Sequence, residues 1–229
     1  MKKNTSVAYR SIKQLVFPSL PTRKRTKNKG KTFITPGRAD MDWRLRLVNR
    51  WHPIPADYKM ELVRLAGGQS VDARIAPALQ QMLRAAEEAG LYTIIRSGYR
   101  SREEQTQIMA EKIAAYREEG HDPEEARRLA EAWVALPDHS EHQLGIAVDI
   151  NADKTRSDNR EVYAWLAVNC DRFGFILRYP RDKTELTGTR FEPWHFRYVG
   201  QPAAEEITRL GLCLEEYVEE ERGASVPSP

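Results

Sequence analysis

An α+β domain is what the sequence predicts: a single unit with a central, mostly antiparallel sheet flanked by helices. Three observations predict it. Helical and strand patterns intermix without a strict strand–helix–strand rhythm, strand patterns crowd together late in the chain, and no segment repeats. The 229 residues, 41% hydrophobic and 30% charged, suit a soluble globular chain with residues to spare for a tail or arm. No run of 18 apolar residues is present, so a membrane-spanning helix is not expected.

Residues 1–40 read as a basic, disordered arm. Positions 1–39 hold eleven Lys and Arg and no acid, with RKRTKNKGK at 23–31; like-charge blocks of this kind stay solvated. The remainder carries 25 basic against 33 acidic residues, so an acidic body bears a basic arm and the net charge of +3 says little about the body's partners. The arm itself is a candidate for weak, nonspecific polyanion contact. Its apolar stretch at 15–20 is broken by Pro18 and followed by no small-residue cleavage site, so no signal peptide is recognised and the location stays open between envelope and cytoplasm.

The domain is expected over 41–215. Residues 42–70, with NRWHPIPADY, read as a Pro-rich extended lead-in. Asp72 is placed to cap a helix in which Ile75, Leu79, Met82, Leu83 and Ala86 keep the 3.6-residue period up to Gly90. Residues 91–95 are short, apolar and β-branched, hence a buried strand, and Gly98 breaks it. Ser101 with Glu104 forms a capping-box signature for a helix over 101–119. Asp122 and Pro123 open a helix over 123–135, stopped by Pro137. A strand follows at 145–151, then a helix at 159–172 carrying Val162, Trp165, Leu166 and Phe173 and closed by Gly174. A strand at 175–179, a hairpin-like loop at 181–190, a strand at 195–199 and a helix at 202–210 complete the domain. Residues 216–229, charged and then Gly/Ser/Pro-rich, are expected to form a tail that frays from 219 onwards. Cys170 and Cys213 make neither a disulfide framework nor a cysteine zinc site; Cys170 reads as a small core residue, and the sequence does not decide whether the two pair.

Three clusters carry chemistry. The densest spans 139–149, with His139, Ser140, Glu141, His142, Gly145 and Asp149. In its strand, Ile146, Val148 and Ile150 alternate with Ala147, Asp149 and Asn151, so Asp149 projects from the face opposite the core and needs a partner there. His142, one Gly-containing turn earlier, can fold back towards it. An imidazole and a carboxylate that converge make two-thirds of a zinc site. The second cluster is Glu192-Pro193-Trp194-His195. Pro193 argues against a helix, so this is not the helical His-Glu-x-x-His arrangement. One member of the pair can bind metal while the other stands beside the open coordination position, which suits hydrolysis. The third is Ser97-Gly98-Tyr99-Arg100-Ser101, where Arg100 is fixed between a strand and a capped helix and can polarise a carbonyl or bind a carboxylate. His52 and His121 have no converging partners and read as structural; His139 reads as a loop residue.

Together the segments SGYRSREEQ, SEHQLGIAVDI and EPWHFRYVG resemble the VanY-type D-alanyl-D-alanine carboxypeptidases, zinc enzymes of bacterial peptidoglycan. The family pattern Ser-x-His-x-x-Gly-x-Ala-x-Asp is met by Ser140, His142, Gly145, Ala147 and Asp149, and Glu-x-Trp-His by Glu192, Trp194 and His195. LVNRWHPIPADY and FGFILRYPRDKTELTG also look like this family, so the resemblance covers roughly residues 45–212. It implies one Zn²⁺ held by His142, Asp149 and His195, Glu192 as general base, Arg100 as the cation on the substrate carbonyl, and Ser140 and Gln105 as polar groups contacting substrate. It also implies a peptidoglycan stem peptide or its precursor as substrate, the cell envelope as location, and a compact α+β fold.

The leading expectation is therefore a monomeric zinc D-alanyl-D-alanine carboxypeptidase acting through a metal-activated water. Close variants are L,D-carboxypeptidase, D,D-dipeptidase or endopeptidase action, because spacing does not reveal the shape of the pocket. A different class is a zinc-containing module that binds a peptide without cutting it. Glu192 argues against that, since a pure binder has no need of a base.

Overall fold

The computed structural model describes residues 42–223. The expected basic arm at 1–40, and the end of the expected tail at 224–229, lie outside the described residues. After a 3₁₀ turn at Trp43–Leu45 comes a feature absent from the sequence reading. Strands β1 (Leu62–Arg64) and β2 (Ser70–Asp72) pair as an antiparallel hairpin within the expected lead-in. Three-residue strands are too short for a period-2 pattern to stand out. Asp72 consequently sits in a strand rather than at a helix cap. Its Oδ1 accepts from the Arg74 backbone N–H, and α1 (Ala76–Glu88) starts after Ile75 with no side-chain cap and with Pro77 in its first turn.

The other elements follow the reading with shifted ends. Leu79, Met82 and Ala86 of α1 are buried, as their spacing requires. β3 (Thr93–Ser97) starts two residues later than expected. The capping box of α2 (Arg102–Glu118) is complete: Glu104 N–H donates to Ser101 Oγ at 3.1 Å, and Ser101 N–H donates to Glu104 Oε2 at 2.7 Å. Asp122 caps α3 (Pro123–Glu131), which is shorter than expected. β4 (Ala147–Ala152) is followed by α4 (Asn159–Asn169), a 3₁₀ turn at Cys170–Phe173 and Gly174 in the left-handed conformation. β5 (Phe175–Leu177) comes next, and the expected hairpin-like loop holds the short helix α5 (Thr184–Thr187) instead. β6 (His195–Tyr198) leads to α6 (Gln201–Leu210) and to α7 (Leu214–Gly223), a helix that runs into residues expected to fray. Leu214, Tyr217 and Val218 anchor it in the core.

The α+β expectation is borne out. The main sheet has the order β3-β4-β6-β5, with every neighbouring pair antiparallel. Ile146, Val148, Ile150 and Phe196 share a core cluster with Leu79 and Met82 of α1 and Val162 and Leu166 of α4, which covers one face of the sheet. Ile176 and Val199 pack with Ala204 and Ile207 of α6 and Tyr217 of α7 in a second cluster. Both cysteines are free and buried. Among the described residues no helix is long and apolar enough to cross a membrane.

What matters for function is register. Ser97 pairs with Asp149 across β3 and β4, and Asp149 pairs with His195 across β4 and β6. The Arg178 backbone N–H then donates to the His195 carbonyl at 3.2 Å, extending the row to the residue that follows β5. One cross-strand line therefore carries four polar side chains through the middle of the sheet.

Candidate metal centre

Asp149 and His195 meet because antiparallel pairing sets them directly opposite each other; His195 Nδ1 lies 3.1 Å from Asp149 Oδ1. His142 reaches them from the 3₁₀ turn Glu141–Leu144 that precedes β4. That turn closes at Gly145, whose φ of 70° is a left-handed conformation a side chain would strain. His142 Nε2 lies 3.4 Å from Asp149 Oδ2, and the two imidazoles stand edge to face with centroids 4.9 Å apart. One donor atom from each of His142, Asp149 and His195 lies within 4.8 Å of the others, and this is the metal-capable group found among the described residues.

The donor chemistry fits zinc. His142 donates its Nδ1 proton to the Gly98 carbonyl at 2.7 Å, which leaves the Nε2 lone pair facing Asp149. Gly98 has to be glycine, because a Cβ there would collide with the Ser70 backbone carbonyl. Two imidazole nitrogens and one carboxylate oxygen form a three-ligand set of the catalytic type, which leaves the fourth position of a tetrahedral ion to water or substrate. Burial depresses the charged form of His142, and its pKa is lowered. Burial also opposes charge on His195, but Asp149 and Glu141 outweigh it and take its pKa up to about 9. A site that takes up a proton between two carboxylates has the charge balance a divalent cation would satisfy.

Glu192 stands beside this group, its Oε2 3.7 Å from His195 Nδ1, on the side of the ring that faces Asp149. Burial raises its pKa to about 7, with Asp149 adding to the effect and His195 opposing it. Arg100 arrives from the other flank. Its Nη2 donates to Asp149 Oδ2 at 2.7 Å and its Nε to Ser97 Oγ at 2.6 Å, while its backbone N–H donates to the His142 carbonyl at 3.2 Å. Gln105, 1% exposed, donates to the Ala135 carbonyl at 2.7 Å and lies 3.5 Å from Arg100 Nη1. Ser140 is buried immediately before the turn that carries His142. The structure thus brings His142, Asp149, His195, Glu192 and Arg100 together. The other histidines serve packing and loops: His139 and His52 bond to Asn49, and His121 contacts Glu125 and Tyr116.

Around this centre lie residues to which the sequence reading gave no role. Glu141 faces His195 Nε2 at 3.5 Å, and the fully buried Arg178 and Arg197 hold Glu141 in turn. Tyr179 packs on the His195 ring at 4.8 Å. One signal could have found the arginines: each interrupts an apolar, aromatic strand, FILRY and HFRYV, where a buried cation must be paired.

The family model of VanY, D-alanyl-D-alanine carboxypeptidase, matches residues 68–201, a span that contains His142, Asp149, His195, Glu192, Arg100 and Glu141. The chain belongs to the VanY family. A D-alanyl-D-alanine carboxypeptidase of Enterococcus faecalis (strain ATCC 700802 / V583) is 54% identical over 183 residues, which cover 80% of this chain and 68% of that protein. Two solved VanY structures are 55% identical to this chain. One is a mutant of the vancomycin-resistance D,D-pentapeptidase VanY from the VanB-type cassette in complex with Zn(II), with a TM-score of 0.76 over 77% of this chain and 99% of the other. The other is VanYB in complex with D-alanine-D-alanine, with a TM-score of 0.77 over 78% of this chain and 98% of the other. This VanY-family chain is a zinc-dependent peptide hydrolase.

Proposed function

We propose that the chain removes the C-terminal D-alanine from peptidoglycan stem peptides, with His142, Asp149 and His195 as zinc ligands, Glu192 as general base and Arg100 as the cation that faces the scissile carbonyl. The observation that carries this is the placement of Glu192, a buried carboxylate 3.7 Å from His195 Nδ1 with its pKa raised to about 7. A site that only bound peptide would have no use for such a group there.

Zinc supplies Lewis acidity, which makes water acidic near neutral pH and polarises a carbonyl. Glu192 takes the proton of the attacking water while the water oxygen bonds to the carbonyl carbon. As the C–N bond breaks, Glu192 passes that proton to the leaving D-alanine nitrogen, so one water is consumed per bond cut. Arg100 is held by Ser97 and Asp149 on a rigid strand-to-helix turn, so its guanidinium is already in position when negative charge builds on the carbonyl oxygen. Ser140 and Gln105 are assigned to the wall that receives the peptide, Gln105 acting through its contact with Arg100. The catalytic unit is assigned to the body from about residue 41, and the basic arm to weak polyanion contact.

The test is product analysis on a defined stem pentapeptide with the zinc-loaded protein. Free D-alanine and the tetrapeptide are expected. Release of a D-alanyl-D-alanine dipeptide, or cutting of a tetrapeptide alone, would move the assignment to the dipeptidase or L,D reading. No product at full zinc loading would refute it.

A further inference from the structure

We infer that Glu141 is a positioning residue for His195: its carboxylate accepts a hydrogen bond from the Nε2–H of the imidazole, which keeps the proton there and leaves the Nδ1 lone pair as the donor to zinc. This rests on the zinc-peptidase reading above and goes beyond it, because Glu141 is not one of the ligands and does not touch the reacting atoms.

A neutral imidazole carries its proton on one nitrogen and a lone pair on the other, and the hydrogen bond at one nitrogen decides what the other can do. His195 Nδ1 faces Asp149 and Glu192, whereas Nε2 faces Glu141 Oε2 at 3.5 Å. The ring therefore lies between carboxylates. Once a cation is bound on the Nδ1 side, Glu141 is the acceptor that remains for the proton. His142 is arranged the opposite way round, with its proton on Nδ1 given to the Gly98 carbonyl. The two histidines are thus locked in opposite tautomers by two different acceptors.

Glu141 cannot turn away from this task. Its other oxygen, Oε1, accepts from Arg178 Nε at 2.7 Å and from Arg197 Nη1 at 2.6 Å. Both guanidiniums are themselves pinned: Arg178 by both oxygens of Glu215 at 2.8 and 2.6 Å, and Arg197 by the backbone carbonyls of Arg44 and Arg46 at 2.9 and 2.8 Å. Asn49 completes the chain by donating to Glu215 at 3.0 Å. Two arginine donors demand an acceptor at the Oε1 position. In a Glu141→Gln variant the amide oxygen must fill that place, which turns the amide nitrogen towards His195. An N–H donor facing Nε2 favours the tautomer with the proton on Nδ1, the wrong one for a metal ligand.

The experiment compares zinc affinity, by competition with a chromogenic chelator, for wild type, Glu141→Gln and Glu215→Gln, with circular dichroism as the check on folding. Glu141→Gln is expected to bind zinc about 10- to 100-fold more weakly, and Glu215→Gln, which disturbs the same network without facing the ring, within about twofold of wild type. In zinc-loaded wild type, ¹⁵N NMR of the histidine side chains should show the His195 proton on Nε2 and the His142 proton on Nδ1. Wild-type zinc affinity in folded Glu141→Gln would overturn the inference, as would equal weakening in both variants. If Glu141→Gln does not fold, the wild-type spectrum decides: a His195 proton on Nδ1 overturns the inference, and one on Nε2 in a hydrogen bond supports it. Absence of zinc binding by wild type would instead overturn the ligand assignment, and this inference with it.

Discussion

Glu192 and Arg100 touch the same small group of atoms from different elements, and substitution separates their tasks. Glu192→Ala removes the proposed base but none of the proposed ligands. It is expected to keep zinc and lower D-alanine release by about 10²- to 10⁴-fold. Arg100→Ala leaves the proposed base in place and removes the preset positive charge. A fall in kcat of roughly 10²-fold is expected, with zinc still bound. Metal analysis beside steady-state rates checks both, and loss of zinc in either variant would reassign that residue to holding the metal. The clustering of these residues was legible because the sequence places His142, Glu192 and His195 at turns and a strand start and sets Asp149 on the non-core face of its strand. Glu141 was not legible in the same way. It stands beside His142 in the sequence, yet its value depends on Arg178 and Arg197, and no periodicity reveals which distant cations meet a given carboxylate.

Among the elements, the turn between β3 and α2 does two separable jobs. Gly98 lets the backbone pass against Ser70 and Val71 and presents its carbonyl to His142. Ser101, three residues on, only closes the helix end. Gly98→Ala should therefore destabilise the fold by about 1–3 kcal/mol through overpacking and also weaken zinc binding on the order of tenfold by disturbing the His142 anchor. Ser101→Ala should cost about 1 kcal/mol and leave zinc affinity unchanged. Urea unfolding together with chelator competition checks the contrast; unchanged zinc affinity in Gly98→Ala would remove the carbonyl from the account. Elements with long periodic patterns or strong caps, such as α1 and α2, could be read from the sequence. The β1–β2 hairpin was missed because its strands are three residues long, and α7 because its charged surface hides the three anchors Leu214, Tyr217 and Val218. The register that aligns Ser97, Asp149 and His195 is a property of pairing between distant strands, and no single segment contains it.

At the scale of the molecule, the site is tied to the C-terminal helix through buried ions: Glu215 of α7 to Arg178, Arg178 to Glu141, and Glu141 to Arg197. Burial alone would raise the Glu215 pKa, but Arg178 and Asn49 outweigh it and hold it below the usual carboxylate range. A carboxylate whose pKa is lower when folded stabilises the fold fully above its unfolded pKa, near ~4.3, and loses that contribution as pH falls through the folded value. Wild type should therefore lose stability progressively below about pH 5. Glu215→Gln should be less stable at neutral pH by on the order of 3 kcal/mol, because a buried arginine loses a charged partner, and should show a shallower acid slope. Urea midpoints across a pH series test this, and parallel slopes for the two proteins would contradict it.

The proposed hydrolysis needs three side chains, from a turn and two strands, to share one metal ion. Titrating zinc back into chelator-stripped protein while following D-alanine release from a stem pentapeptide addresses this most directly. Activity should rise from nothing in proportion to added zinc and level off at one equivalent per chain. Full activity in the stripped protein, or none at saturating zinc, would contradict it.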